Sequence, residues 1–404
     1  MTPNSVDAAE RAKTEEESSS PSAETVDSPL TRNVHRMRIK SGTLNLGGSR
    51  EEVPADREAE EWVRSFLTMT NLVVLAGSGC SIGLGGTSRT APSMWDLHGL
   101  VTALPSYQPA AEALPILDRI DNVEDLLSKC VAARHILEEP SPLEDFVREA
   151  STTIREACDF VDGGTDLTAH STFLRKLAHR DARQERLALF TTNYDLAFES
   201  ALQNLSYTAI DGFGYGSRAR FGGEHFDLDI VRRGQRGELI LAPNVIRLLK
   251  LHGSVDWEFT DTGIRRTPFP TRPVLIYPSR DKYQQSYQQP YLEAMARFQM
   301  ALRAPDTAVL VVGFGFNDDH LTQPILDAIR TQPTMRMLVV SPDVLTPPDG
   351  SAVKSLTEAI QSGDGRLALL AAKFHEFSGL LPERSDLDRW DEIRTTTQRA
   401  LAHG

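Results

Sequence analysis

The chain has 404 residues, 40% hydrophobic and 25% charged, a composition that suits a globular protein with one large core or two modest ones. Its net charge of −13 leaves no Lys/Arg excess to neutralise phosphates, so no membrane partner and no strong direct binding to nucleic acid are expected. Cys80, Cys130 and Cys158 form no CxxC pair, no apolar run approaches the roughly 18–20 residues of a membrane span, and no signal-peptide pattern opens the chain; disulfide scaffolds, thiolate zinc sites and secretion are set aside in favour of the cytoplasm.

Residues 1–50 are rich in Ser, Thr, Glu and Pro and poor in large apolar side chains, so they read as a disordered or partner-binding tail. The more basic stretch "NVHRMRIKSGTLNLGG" at 33–48 is read as loose tail rather than an added strand. From 57 the spacing of Trp62, Val63, Phe66 and Leu67 predicts a helix, and "LVVLAG" predicts a short buried strand ending in a Gly-rich turn. The region of about 100–180 carries apolar residues at three- and four-residue intervals and predicts an inserted helical subdomain. Strand-like runs return at 186–195, 245–257, 272–279, 307–318 and 335–343, with helix-like segments between several of them. Apolar strands that do not alternate, interleaved with amphipathic helices, predict an α/β fold: a Rossmann-like, doubly wound parallel sheet within a catalytic domain at 57–345. Residues 346–404 are expected to form terminal helices packing on that domain, with no appended sensor domain of obvious size.

Doubly wound sheets bind ligands at the carboxyl ends of their strands, and four polar clusters follow strand-like runs directly. They begin at Ala76-Gly77-Ser78-Gly79-Cys80-Ser81, Thr191-Thr192-Asn193-Tyr194-Asp195, Lys250-Leu251-His252-Gly253-Ser254 and Gly313-Phe314-Gly315-Phe316-Asn317-Asp318. Glycines after a strand permit a tight turn and let a phosphate approach backbone N–H groups, which makes a dinucleotide's pyrophosphate the natural occupant of the first cluster. Asp96 stands near the place of a ribose-binding acid in a Rossmann domain but follows "PSMW" rather than a second strand. Asn193 and Asp195 suit either a ribose hydroxyl or water contact or a helix N-cap. His252, in a turn after "VIRLLK", carries an imidazole, the side-chain type suited to a general base at neutral pH.

In this order the clusters "GSGCS", "TTNYD", "KLHGS" and "GFGFNDDH" resemble the sirtuin-like NADase family of bacterial anti-phage defence systems, over about residues 57–380. The cysteine pairs of deacylating sirtuins are missing, and "AIDGFGYGSRARFGGEHFDLDI" stands where their zinc module would be, so the resemblance is to the zinc-free branch and no zinc is expected. Ser78 departs from the alanine common in the family's first loop. The resemblance implies an NAD+ glycohydrolase that releases nicotinamide and ADP-ribose as the NAD-depleting effector of abortive infection, with NAD+ as substrate. It implies Asn193 and His252 as catalytic residues. Gly77, Ser78, Gly79 and Ser81 would cradle the pyrophosphate, Asp195 would order the Asn193 loop, and Ala76, Gly253 and Ser254 would be further cofactor-binding residues. Gly313, Phe314 and Gly315 would close on the adenosine half, with Ser341 as a further contact. A homo-oligomer and a separately encoded regulator are implied, a HerA-type hexameric ATPase rather than a short Argonaute. The alternatives are a zinc-less protein deacylase and a non-catalytic NAD- or ADP-ribose-binding assembly subunit of a nucleic-acid-processing complex.

Overall fold

Strands that are apolar at every position must be covered on both faces, and this requirement organises the molecule. The computed structural model describes residues 40–41, 62–133, 137, 141–180, 184–216, 219–275 and 289–383. In chain order the elements begin with β1 (Lys40–Ser41), α1 (62–67) and β2 (Asn71–Ala76), followed by five helices, α2 (Met94–Thr102), α3 (Tyr107–Ala113), α4 (Val123–Ala133), α5 (Ser141–Cys158) and α6 (Thr168–Ala178). Next come β3 (Ala188–Thr191), α7 (Ala197–Asn204), β4 (Thr208–Ile210), β5 (Val231–Arg233), β6 (Leu239–Leu241), β7 (Val245–Lys250), β8 (Gly253–Thr260), β9 (Gly263–Arg266) and β10 (Pro273–Leu275). The chain then runs through α8 (Tyr291–Arg303), β11 (Thr307–Val312), α9 (Asp319–Thr331), β12 (Arg336–Val340), α10 (Ala352–Gln361), β13 (Leu367–Leu370) and α11 (Phe374–Leu380).

The main sheet has the order β1-β13-β12-β11-β2-β3-β7-β4. Every pair from β13 to β4 is parallel, and β1 pairs antiparallel at the β13 edge. Alternate residues of β2 enter different cores: Leu72, Val74 and Ala76 pack with Phe173, Phe198 and Phe374, whereas Val73 and Leu75 pack with Phe190, Phe298 and Ile325. The fold is therefore the doubly wound α/β sheet with Rossmann-like topology. From β2 the chain proceeds to β3 on one side, while β11, β12 and β13 lie on the other, so the strand order reverses at the β2–β11 pair.

The helical insertion divides into two parts. Helices α2 to α5 build their own core around Leu117, Leu126, Phe146 and Ile154, and that core also takes in Tyr194 and Val255 from the sheet domain. Helix α6 instead buries Phe173, Leu174 and Leu177 in the main core, so the separate layer starts at Met94 and ends near Cys158 rather than spanning about 100–180.

Other sequence expectations also change. Lys40 and Ser41 do add a strand, pairing with Leu369 and Ala368, while the rest of the expected tail lies outside the described residues. Residues 367–370, expected to be helical, form β13, because a fully buried four-residue run fits a parallel edge as well as a helix turn. The run at 272–279 contributes β10 to a separate antiparallel sheet of order β10-β8-β9, and the expected last helix "RWDEIRTTTQRAL" lies outside the described residues. Among the described residues no helix is long and apolar enough to cross a membrane.

Candidate active site

The ladder register brings the four clusters to one edge. Val312 pairs with Ala76, Ala76 with Thr191 and Thr191 with Lys250, so the strands end in a row and their loops leave the sheet side by side. The first and last loops meet backbone to backbone. Gly77 N–H donates to Val312 O at 3.0 Å and Gly79 N–H to Gly313 O at 2.9 Å. A Cβ on Gly79 would stand 2.7 Å from Gly313 Cα, and Gly313 itself has φ +62°. The glycines thus serve the approach of one loop to another. The expected pyrophosphate cradle at Gly77 and Gly79 is corrected on this point: their N–H groups are already donated to carbonyls.

The Asn193 loop is held from below and from the side. The Lys250 ammonium, buried under it, donates to Tyr194 O at 3.2 Å, to Asp195 O and to Glu199 Oε1 at 3.0 Å. Burial pushes the Glu199 carboxyl up, against the opposing pull of Lys250. Asp195 Oδ1 accepts the Ala197 N–H at 2.9 Å at the start of α7, and Oδ2 accepts the Ser81 hydroxyl at 2.8 Å. The single Ser81 proton is spent on that carboxylate, so Ser81 Oγ can only accept from Asn193 Nδ2, 3.0 Å away. The Asn193 amide is thereby fixed, and its Oδ1 is buried with no hydrogen-bond partner among the described residues.

His252 is placed by β7 and a glycine turn. Leu251 N–H continues the ladder to Thr191 O at 2.8 Å, and Gly253 at φ +92° swings the chain into β8. A side chain at 253 would meet Val274 O at 2.0 Å, so this glycine permits the close pass of β10. The imidazole is 2% exposed. Its Nε2 lies 3.2 Å from Asp318 Oδ2, and its Nδ1 lies 3.8 Å from Glu124 Oε1 of the helical insertion. Asp318 also caps α9, accepting the His320 N–H at 2.9 Å. Burial opposes ionisation of Asp318, but the His252 hydrogen bond and charge, joined by His320, outweigh it and hold the carboxyl below its usual range. His252 Nδ1, like Asn193 Oδ1, is buried without a hydrogen-bond partner among the described residues.

Both residues line a cavity of about 500 Å³ between the strand ends and the insertion. Of the expected site residues, Ser78, Ser81, Asn193, Asp195, His252, Gly313, Phe314 and Gly315 line it. Ala76, Gly77, Gly79, Gly253, Ser254 and Ser341 do not. Ala76 ends β2 in the core, and Ser254 is buried, donating to Asp256 Oδ1 at 2.6 Å. Ser341 follows β12, one strand beyond β11. Asp96 belongs to a capping box with Ser93 at the start of α2, which accounts for it without a ribose. The sequence reading gave no site role to Glu124, Tyr194 or Asp318; Tyr194 inside "TTNYD" and Asp318 inside "GFGFNDDH" stood in clusters it named, whereas Glu124 carried no signal.

The lining is rich in carboxylates, Glu124, Asp125, Asp195, Asp318 and Asp319, with Lys129, His252 and His320 as its basic members. A fixed amide carbonyl, a buried imidazole and an acidic wall suit a ligand that offers hydroxyl groups and carries positive charge. A family model, the SIR2-like domain, matches residues 187–359, which span the Asn193, His252 and Asp318 loops but neither the first glycine loop nor the helical insertion. The match supports a Sir2-like family, whose domains are in general NAD-binding. No curated protein matches the chain.

Proposed function

We propose that the protein is an NAD+ glycohydrolase. The observation that carries this reading is the pair of buried atoms on two residues of one cavity, Asn193 Oδ1 and His252 Nδ1, the amide fixed through Nδ2 on Ser81, which donates to Asp195, and the imidazole through Nε2 on Asp318. A ribose diol and a water supply the O–H donors that such atoms lack, and burying an acceptor without one costs about 1–3 kcal/mol.

Hydrolysis breaks the bond between ribose C1′ and the nicotinamide nitrogen. The electron pair returns to the ring nitrogen, nicotinamide leaves neutral, a water oxygen joins C1′, and His252 takes a proton from that water. Asn193 orients the ribose or the water through Oδ1. Glu124, Asp195 and Asp318 surround the place where positive charge develops on the ribose, the electrostatic arrangement an oxocarbenium-like transition state calls for. Ser78, Lys129 and His320 are the lining groups suited to the diphosphate, in place of the glycine amides. The resemblance extends the reading to an NAD-depleting anti-phage effector in the cytoplasm, held in check as an oligomer by a separately encoded ATPase.

The test is product analysis of NAD+ incubated with the purified chain, with and without an acetyl-lysine peptide. Nicotinamide and ADP-ribose in equal amounts, independent of peptide, are expected. Release that requires the peptide would replace the reading by deacylation. NAD+ binding without turnover, even with the co-purified partner, would replace it by a binding subunit.

A further inference from the structure

His252 touches carboxylates from two different elements, and the two contacts are unequal. Asp318 Oδ2 is within hydrogen-bond reach of Nε2 at 3.2 Å, whereas Glu124 Oε1 stands 3.8 Å from Nδ1, beyond a direct bond. An ionised carboxylate only accepts, so a hydrogen bond to Asp318 requires the proton on Nε2. A neutral imidazole then carries its lone pair on Nδ1, the atom with no hydrogen-bond partner among the described residues. Asp318 is itself immobile, because its Oδ1 caps α9 through the His320 N–H.

We propose that Asp318 is a positioning residue that fixes His252 as the Nε2–H tautomer, so that Nδ1, on the side of Glu124, is the atom that accepts the proton from water. This rests on the hydrolase reading for its chemistry. The transfer balances: the water O–H bond breaks, its oxygen keeps the electron pair and joins ribose C1′, and the proton bonds to the Nδ1 lone pair. The resulting imidazolium is held by the Asp318 carboxylate at Nε2.

The test is Asp318→Asn. Asparagine caps a helix as well as aspartate, so α9 and the thermal midpoint are expected to survive. An amide, however, presents either a donor or an acceptor to Nε2 and no longer dictates the tautomer. Nitrogen NMR of 15N-histidine-labelled protein reads this directly, with His252 assigned by the resonances lost in His252→Gln. In the wild type with the imidazole neutral, Nε2 is expected to give a protonated, pyrrole-type shift and Nδ1 a pyridine-type shift. In Asp318→Asn the pattern is expected to become mixed or reversed, with kcat reduced about a hundredfold or more and KM nearly unchanged. A wild-type spectrum with the proton on Nδ1, a variant that keeps the wild-type pattern, or a variant with wild-type kcat would overturn the proposal. The spectra need no substrate, so a wild type that binds but does not cleave NAD+ removes the hydrolase reading while the tautomer is still decided.

Discussion

The sheet domain and the helical layer at 94–158 approach the same cavity by different means. Asn193 and His252 are anchored by ladder register, glycine turns and the buried Lys250, so their positions follow from the backbone of the parallel sheet. Glu124 is carried by a separate core and reaches the cavity as a side chain, with Asn122 Oδ1 accepting its N–H at 2.8 Å at the head of α4. The difference teaches that the two regions divide the cavity between them: the sheet fixes Asn193 and His252, and the insertion forms the wall opposite them. The family match covers the His252 and Asn193 loops and leaves α2 to α5 outside, together with β2 and its glycine loop.

The comparison can be broken most directly at its strong side. Asn193→Ala and His252→Ala are each expected to lower NAD+ turnover by about 10³-fold, with circular dichroism and melting unchanged. Residual activity within about tenfold of wild type in either would show that the sheet does not hold the chemistry.

Next in size is a stability effect confined to the sheet side. His170 on α6 is buried between Phe198 and Phe374, both ring nitrogens lack hydrogen-bond partners among the described residues, and burial holds its pKa down at about 4. The unfolded value is about 6.5, so between those limits the unfolded chain takes a proton that the folded chain refuses. Its contribution is therefore complete above pH 6.5, declines as pH falls and is exhausted near pH 4, a span worth up to about 3 kcal/mol. Denaturant melts of His170→Leu are expected to lack this part of the acid slope; an identical slope would mean that His170 is protonated in the folded protein.

Gly79→Ala sharpens the same side. The added methyl meets Gly313 backbone, and overpacking of this kind costs about 1–3 kcal/mol. A melting curve coincident with wild type would show that the two loops are not packed as described.

The smallest effect is expected from the insertion: Glu124→Gln keeps the shape, loses the charge and should lower kcat/KM by about tenfold. A loss as large as that of His252→Ala would erase the distinction between the two regions.

Much of the sheet was legible because strands buried on both faces leave unbroken apolar runs: "NLVVLA", "ALFT", "VIRLLK", "TAVLVV" and "RMLVV" all read as strands. β13 was not, since "LALL" runs into "AAKFHEF" and the apolar spacing favours one long helix until the sheet supplies an edge. Asn193 and His252 were legible because each directly follows a strand. Glu124 was not, because helix α4 has nothing in its own sequence that tells which wall it builds. The glycines were visible but misread: bareness of the backbone is the same signal whether a phosphate or Gly313 is the neighbour.

The central claim is that the protein hydrolyses NAD+ through the sheet-anchored Asn193 and His252, and its most direct measurement is the rate of nicotinamide release by the wild-type chain beside Asn193→Ala and His252→Ala, each with any co-purifying protein retained. The account predicts nicotinamide and ADP-ribose from the wild type and none above background from either variant. Equal release by all three would contradict it.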